Sequence, residues 1–449
     1  MTTSLLTLQR LDLRDPDPDR LASRDALFRR GAVPDPAVRD VARRILADVR
    51  ERGAAAVREA SARYGGGHHD GRLLLARSEL LRAADALSTD HRDSLETAIA
   101  NVRRFAQPQR PPDSVRTTIT DGVELERRWQ PVARCGVYAP GGSAPYPSSL
   151  VMGTVPALVA GVGSITIASP ADRDGRVHPV LLGAAGLLGV EALLVAGGVQ
   201  AIGALAYGLP DEGLAPVDLV VGPGSAWVTA AKIEIVGETG IDLPAGPSEG
   251  VVLADGSADP RTVAADLITQ AEHGPDSPAL LVTPDETLAA AVEDEVRRRL
   301  AGALRRDILE RALSEHGRIV LVPDIEAGIE FVNGYGPEHL SVEVADLEGT
   351  VDRIRNAGSI FVGRWSPESA GDYASGANHV LPTGGLARSC GPLAVETYGK
   401  YNQVQRISRE GLLALRPVIR TLAEAEGLLA HRDAVEVRFE REPATEDRA

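Results

Sequence analysis

The chain has 449 residues and a net charge of −15, with 43% hydrophobic and 25% charged residues. A chain of this length exceeds what one ordinary hydrophobic core supports, so we expect two or more domains. Its acidic surface would repel the phosphates of nucleic acids and of anionic membranes, so neither is an expected partner.

The cysteine content and the start of the chain predict a cytoplasmic protein. Cys135 and Cys390 are the two cysteines, too few for a disulfide framework or a cysteine-based zinc site. Cys135 lies in an apolar run and is expected to be a packed thiol. The first residues do not resemble a signal peptide, and no apolar stretch approaches the roughly 18 residues of a membrane span.

The first quarter of the chain is predicted to be an arm followed by helices. Residues 1–34 are charged and interrupted by proline, which is typical of an extended arm with a short helix. Apolar residues then recur at helical spacing over residues 35–105. Prolines in residues 108–112 end this pattern, and a polar hairpin is predicted at residues 117–128.

From residue 130 onward, short apolar runs alternate with helical stretches. This alternation predicts an α/β protein with two incomplete Rossmann-like parallel-sheet domains, plus small helical extensions at both ends. The predicted strands are 164–168, 192–196, 218–221, 250–253, 279–282, 318–321 and 359–362. The predicted helices are 151–162, 178–188, 199–207, 261–272, 286–306 and 411–431.

Residues 270–273, which read Gln-Ala-Glu-His, are a candidate metal site. Helical spacing puts Gln270 and His273 on one face, and the following Gly-Pro ends the helix. An amide oxygen and an imidazole nitrogen at one helix end can chelate a divalent metal. A capped helix end with a solvated histidine would give the same pattern.

Two further segments combine carboxylates with imidazoles. Glu338 and His339 are adjacent in a predicted loop, and such a pair suits acid/base catalysis. Asp372 and His379 lie in a polar segment, 365–380, directly after a predicted strand. Ligands of open α/β sheets bind beyond the carboxyl ends of strands, so we expect these two side chains there. Solvated loops remain the alternative for both segments.

The end of the chain and the glycine-rich turns give weaker signals. Glu426 and His431 are five residues apart, and a histidine at a helix end needs no function beyond the helix dipole. Glycine-rich turns follow apolar runs at 138–143, 197–200 and 222–226, where a backbone can approach a ligand closely. They indicate a phosphate-bearing or small polar ligand without identifying it.

Taken together, these segments resemble the histidinol dehydrogenase family. The resemblance runs in order over most of the chain, and the first 110 residues are the least distinctive part. The segments that carry it are 136–145, 222–224, 242–249, 270–276, 335–339, 365–382 and 430–431.

The resemblance implies a zinc-dependent, NAD-linked alcohol dehydrogenase of histidine biosynthesis. It would oxidise L-histidinol to L-histidine through L-histidinal, with one zinc ion per subunit and two NAD as hydride acceptors. The implied metal ligands are Gln270, His273, Asp372 and His431, and the implied catalytic pair is Glu338 and His339. The implied substrate contacts are Ser248, Gln270, His273, His339, Asp372, Glu426 and His431. The implied NAD contacts are Tyr138, Gln200 and Ser225.

Ser225 departs from the family, which commonly has asparagine at this position. Serine keeps a donor and an acceptor but is shorter, so the contact with NAD would be lost or bridged by water. The resemblance also implies a homodimer in which His431 reaches the active site of the partner subunit.

Three other functions stay open on the residues alone. A metal-dependent hydrolase could use the same metal and acid/base residues but leaves the glycine-rich turns without a purpose. A dehydrogenase for another amino or sulfonated alcohol would differ around Glu426 and His431. A noncatalytic binding protein would not need the clustered acid/base residues.

The expected domains follow from these assignments. An amino-terminal arm spans residues 1–34, and a carboxyl-terminal helical extension spans 386–449. Residues 35–136 and 248–385 are expected to form the α/β domain with the metal and acid/base residues. Residues 137–247 are expected to form the nucleotide-side α/β domain.

Overall fold

The computed structural model describes residues 6–15, 17–141 and 145–440. The chain divides into two compact units. The first unit comprises Met1–Arg110 and Val132–Tyr398, and the second comprises Pro111–Pro131 and Gly399–Ala449.

Strands and helices alternate through most of the described chain. The strands are β1 (Gln9–Asp12), β2 (Leu74–Ala76), β3 (Ser114–Thr120), β4 (Val123–Pro131), β5 (Arg134–Tyr138), β6 (Ser164–Ser169), β7 (Ala192–Val195), β8 (Leu219–Val221), β9 (Gly240–Ile241), β10 (Gly250–Ala254), β11 (Ala279–Thr283), β12 (Gly317–Leu321), β13 (His339–Glu343), β14 (Ser359–Val362) and β15 (Gly399–Ile407). The helices are α1 (Pro18–Phe28), α2 (Pro36–Arg52), α3 (Ala54–Tyr64), α4 (Arg77–Asp85), α5 (Thr89–Ala106), α6 (Pro147–Ala160), α7 (Pro179–Leu187), α8 (Gly198–Tyr207), α9 (Ala226–Glu234), α10 (Pro260–Glu272), α11 (Glu286–Leu300), α12 (Arg306–His316), α13 (Ile325–Tyr335), α14 (Leu347–Val351), α15 (Glu368–Tyr373), α16 (Arg409–Ala425) and α17 (Leu429–Glu436).

Six strands form a parallel sheet in the order β1-β12-β11-β10-β13-β14. We name it the catalytic sheet because His339, one of the two predicted acid/base residues, begins its strand β13. Its four inner strands, β12, β11, β10 and β13, are almost entirely buried because helices cover both faces of the sheet. Residues of α10, α11 and α12 pack in one hydrophobic core, and residues of α13 pack in the other. The predicted parallel α/β architecture is confirmed in this region.

The second six-stranded sheet has the order β2-β7-β6-β5-β8-β9. We name it the nucleotide-side sheet because Tyr138, a predicted NAD contact, ends its strand β5. Among the described strands of this sheet, only β2 runs antiparallel to its neighbour. Its core includes Leu46 and Val57 of α2 and α3, together with apolar residues of α8 and α9. The boundaries of the predicted domains stay a prediction, but α2 and α3, which we expected with the catalytic sheet, pack here instead. The apolar spacing of each helix predicts that one face is buried, but it does not show which sheet covers that face.

The second unit contains the predicted hairpin. Strands β15, β4 and β3 form an antiparallel sheet in that order, and Trp129 packs edge-on against Tyr401 with ring centroids 5.3 Å apart. The single predicted helix at 411–431 is two helices, α16 and α17. Gly427 separates them with a φ of 71°, a conformation that ends a helix.

Most predicted strands lie within one or two residues of the observed ones. Strand β13 was missed because the Gly-Tyr-Gly-Pro turn before Glu338 was taken to continue as a loop, and Ser341 and Glu343 leave no continuous apolar run after it. The predicted helix 286–306 ends earlier, at Leu300. Cys135 is buried in β5, and burial raises the pKa of its thiol, as expected for a packed side chain. Among the described helices, none has the length and apolar character needed to cross a bilayer.

Candidate active site

A cavity of about 640 Å³ opens in the first unit, and loops at the ends of both of its sheets line it. Residues 223–226 follow β8 of the nucleotide-side sheet. Residues 245–248 and 273–277 precede β10 and β11 of the catalytic sheet. The cavity therefore joins the carboxyl ends of one set of strands to the amino ends of the other.

Glu338 and His339 lie on the cavity wall at the start of β13. This central strand fixes them because the N–H of His339 donates to the carbonyl of Glu249, 3.1 Å away, and the carbonyl of Glu338 accepts from the N–H of Ser359 at 2.9 Å. Gly358 leaves room for this carbonyl, since an added Cβ would lie 2.6 Å from it. The pair is thus held by rigid sheet backbone.

The Glu338 carboxylate is buried and held by two donors. Its Oε2 accepts hydrogen bonds from the Ser248 hydroxyl at 2.7 Å and from the N–H of Glu249 at 3.0 Å. Burial disfavours the charged form more strongly than these donors favour it, which raises the pKa of Glu338 to about 8. A carboxyl group with this pKa can exchange a proton near neutral pH.

The His339 imidazole is buried and oriented by the end of α10. Its Nδ1 lies 3.1 Å from Oε1 of Gln270, and its ring stacks on His273 with centroids 5.7 Å apart. Burial, with His273 and His379 nearby, lowers the pKa of His339, so the neutral ring is favoured. Its Nε2 has no hydrogen-bond partner among the described residues. Because the Gln270 oxygen is an acceptor, the ring proton lies on Nδ1, and the lone pair of Nε2 is available to accept a proton.

Gln270 and His273 lie one helical turn apart at the end of α10, as their spacing predicted. Gln270 is buried against Gly250, where an added Cβ would lie 2.8 Å from the side-chain oxygen. The Gln270 Nε2 has no hydrogen-bond partner among the described residues. His273 is the C-cap residue and lines the cavity. The negative end of the α10 dipole therefore lies beside the candidate ligands.

His273, Glu368 and Asp372 form a cluster that could hold a metal ion, because one ligand atom of each lies within 4.8 Å of the others. Burial raises the pKa of Asp372. His379 orients this residue, with its Nδ1 3.0 Å from the Asp372 carbonyl and its Nε2 3.1 Å from the Ser149 hydroxyl. One imidazole and two carboxylates suit zinc, manganese or cobalt.

The expected position of Asp372 was wrong in one respect. We expected it beyond the carboxyl end of β14, whereas the chain turns back and α15 brings Glu368 and Asp372 to His273, at the amino ends of the strands. The carboxyl-end rule does not account for a side chain that reaches the site on a return segment.

Glu368 is a candidate site residue that the sequence prediction missed. Its Oε1 lies 3.5 Å from Nδ1 of His273 and 3.7 Å from Nδ1 of His339. The same oxygen has no hydrogen-bond partner among the described residues, and burial together with Asp372 raises the pKa of Glu368. Its place after Ser-Pro reads as an ordinary helix start, so only the three-dimensional structure reveals it.

The candidate NAD contacts surround the carboxyl ends of β5, β7 and β8. The Tyr138 hydroxyl accepts a hydrogen bond of 3.2 Å from the N–H of Gly198, and Gln200 is buried nearby in α8. Ser225 is the exposed N-cap of α9 and lines the cavity. Residues 142 and 143 of the predicted turn at 138–143 lie outside the described residues.

The remaining predicted residues divide between the two units. Ser248 lies in the first unit, lines the cavity and donates to Glu338. Glu426 and His431 lie in the second unit, where both side chains are exposed. Their roles toward substrate and metal stay predictions.

Known proteins resemble this chain over nearly its full length. A family model described as histidinol dehydrogenase matches residues 29–439. A histidinol dehydrogenase of Leifsonia xyli subsp. xyli is 47% identical over 96% of this chain and 99% of its own, and one of Halobacterium salinarum is 46% identical over 95% and 98%. The crystal structure of histidinol dehydrogenase from Elizabethkingia anophelis matches with a TM-score of 0.89 at 34% identity, covering 97% of this chain and 99% of that one.

Proposed function

The chain belongs to the histidinol dehydrogenase family, and on this premise we propose that it oxidises L-histidinol to L-histidine through L-histidinal, reducing one NAD in each of two steps. Membership makes the protein an oxidoreductase of histidine biosynthesis. The observation that carries the mechanism is the buried pair of Glu338 and His339, which faces the same cavity as the His273–Asp372 cluster and the Ser225 turn.

A divalent metal, zinc by preference, fits the residues present. Gln270, His273 and Asp372 would hold it. Among the described residues, Oε1 of Glu368 beside them has no hydrogen-bond partner, and a cation there would favour the charged form of this carboxyl group. When bound, the metal would hold the substrate and polarise its hydroxyl, and NAD would accept the hydride. Among the described residues that line this cavity, none is arginine or lysine. A bound cation would therefore offset the charge of its buried carboxylates.

His339 would take the substrate hydroxyl proton in the first oxidation. Its lowered pKa keeps the ring neutral, and Nε2, which has no hydrogen-bond partner in the described part of the chain, offers the lone pair. Gln270 fixes the ring through Nδ1. A buried base oriented in this way needs no rearrangement before it accepts the proton.

Glu338 would activate the water that attacks the aldehyde in the second oxidation. Ser248 and the N–H of Glu249 hold Oε2, which leaves Oε1 to face a water molecule. Because the pKa of Glu338 is about 8, the carboxylate is a stronger base than an ordinary one.

The test measures NADH formed per molecule of L-histidinol by absorbance. Wild-type protein should form two NADH, and a chelator should abolish both. E338Q should form the first NADH at a near-normal rate and depress the second, whereas E348Q, an exposed control on α14, should match wild type. Equal loss of both NADH in E338Q would contradict the role of Glu338. No NADH from any alcohol would favour a metal-dependent hydrolase.

We further propose that the active assembly is a homodimer in which His431 of one subunit completes the metal site of the other. Apolar side chains are exposed on α16 and α17 of the second unit, and a second copy would cover them. They are Leu413, Val418, Leu422 and Leu429. A fully active monomer in gel filtration would refute this proposal. The cytoplasmic location stays a prediction.

A further inference from the structure

Lys232 and Asp242 form a buried ion pair beneath the turn at Gly222. The Lys232 and Asp242 side chains are 2% and 0% exposed. The Lys232 ammonium donates to the Gly222 carbonyl at 2.9 Å, and the N–H of Gly222 donates to Oδ2 of Asp242 at 2.8 Å. One ion pair therefore satisfies both backbone polar groups of a single glycine.

Gly222 has a backbone that only glycine adopts readily, with a φ of 115°. A Cβ at this position would collide with the carbonyl oxygen of Tyr138. The turn is thus pressed against the end of β5 on one side and held by the ion pair on the other.

The restrained turn leads directly to the cavity. Pro223, Gly224 and Ser225 line the cavity, and Ser225 begins α9. Lys232 lies on α9 itself, so it ties the helix back to the turn from which the helix starts. The N–H groups of the first helical turn lack intrahelical partners and favour anionic ligands.

A buried ion pair is not needed for stability alone, since well-packed apolar residues of similar volume often serve equally well. Lys232 is one of only two lysines in the chain. This lysine is buried beside a carboxylate, and both side chains hydrogen-bond to Gly222. A requirement for a fixed position of the turn would explain this arrangement.

We propose that Lys232 and Asp242 are positioning residues for the nucleotide: they fix the Gly222–Ser225 turn so that its backbone and the start of α9 meet the dinucleotide phosphates. This rests on the proposed function, because the ligand of the turn is taken to be NAD. Neither side chain contacts the ligand in this proposal.

The test separates positioning from stability with the double variant K232M/D242L in the full-length, zinc-loaded protein. Each single variant, K232M or D242L, leaves a buried charge unpaired and should lower the Tm. The double variant should have a higher Tm than either single variant, since no charge stays buried, and a lower Tm than wild type, since the buried N–H and carbonyl of Gly222 lose their partners. It lacks both hydrogen bonds to Gly222, so NADH should still bind about tenfold more weakly.

The control is E234Q, which weakens the contact of α9 with Arg39 on α2 but leaves the turn untouched. It should bind NADH as wild type does. L-Histidinol affinity should stay within about twofold in every variant that folds, because none of the proposed substrate contacts lies on the Gly222–Ser225 turn or on α9. K232Q keeps a neutral donor for the Gly222 carbonyl and should bind NADH with intermediate affinity, which tests the proposal even if the double variant does not fold.

The outcomes distinguish the two levels of the proposal. Wild-type protein that binds no NADH overturns the proposed function and the positioning role with it. Wild-type protein that binds NADH, with K232Q and any folded K232M/D242L binding equally well, overturns the positioning role alone. Weaker NADH binding by a K232M/D242L variant whose Tm exceeds those of both single variants, with unchanged histidinol binding, supports the positioning role.

Discussion

The two parallel sheets of the first unit present opposite ends to the same cavity. The nucleotide-side sheet offers the carboxyl ends of its strands, where β8 leads through a glycine turn to the amino terminus of α9. The catalytic sheet offers the amino ends of β10, β11 and β13, together with the carboxyl terminus of α10. One side thus has the partial positive charge that suits phosphates, and the other has the partial negative charge that suits a cation.

The two regions would therefore bind their ligands differently, one mainly through backbone groups and the other mainly through side chains. On the nucleotide side, glycines and a helix start dominate, and Ser225 is the one exposed polar side chain among the predicted contacts. On the catalytic side, side chains of α10, α15 and β13 converge, and several are buried titratable groups with shifted pKa values. Substitutions should therefore separate cleanly into those that affect metal and chemistry and those that affect NAD.

The largest effect is expected at His339. H339Q should lower kcat by about 10²–10⁴-fold, because the base for the hydroxyl proton is removed, while NADH affinity should change little. Steady-state NADH formation and a fluorescence titration with NADH measure the two quantities. H91Q, at an exposed position on α5, is the control. Comparable losses in kcat and NADH affinity would break the division between the two sheets.

A smaller effect is expected at Glu368. E368Q should weaken zinc binding by about 10–100-fold, because a buried negative charge beside His273 is lost. Competition with a chromophoric chelator measures this affinity without reference to activity. E348Q serves as the control for removing one carboxylate. An unchanged zinc affinity would show that Glu368 plays no part in the metal site.

The pH dependence of the second oxidation should follow Glu338. The group acts as a base only when it is ionised, and its pKa is raised to about 8. The rate of NADH formation from L-histidinal should therefore fall as pH falls through this value, by about tenfold between pH 9 and pH 7. In E338Q the residual rate should lack this dependence. A flat wild-type profile over the same range would contradict the assignment.

The smallest effect is expected at Ser225. S225N should tighten NADH binding by about threefold to tenfold, the equivalent of one hydrogen bond, because the longer side chain would reach further toward the proposed ligand. Zinc affinity should not change. Weaker NADH binding in S225N would mean that serine is the better fit in this chain.

Much of the fold could be predicted because its strands are short apolar runs between glycine-rich turns. Strand β13 was missed, since its buried polar residues break the apolar run. The packing of α2 on the nucleotide-side sheet was also missed, because helical spacing shows that a face is buried but not what covers it.

The site was predicted unevenly for a similar reason. Gln270 and His273 could be paired by helical spacing, and Glu338 and His339 are adjacent in the chain. Glu368 could not be selected from its neighbours, because its function depends on the turn that brings α15 back to His273. Residues that are far apart in the sequence are brought together by the fold, and local spacing does not show which of them will meet.

The most direct test of the division between the two sheets is a pair of binding titrations, with NADH and with L-histidinol, on zinc-loaded and zinc-depleted protein. We expect NADH affinity to stay within about twofold after zinc is removed, because backbone at the nucleotide-side sheet holds it, while histidinol affinity falls by at least about tenfold. Loss of NADH binding together with zinc, or histidinol binding that does not depend on zinc, would contradict the account.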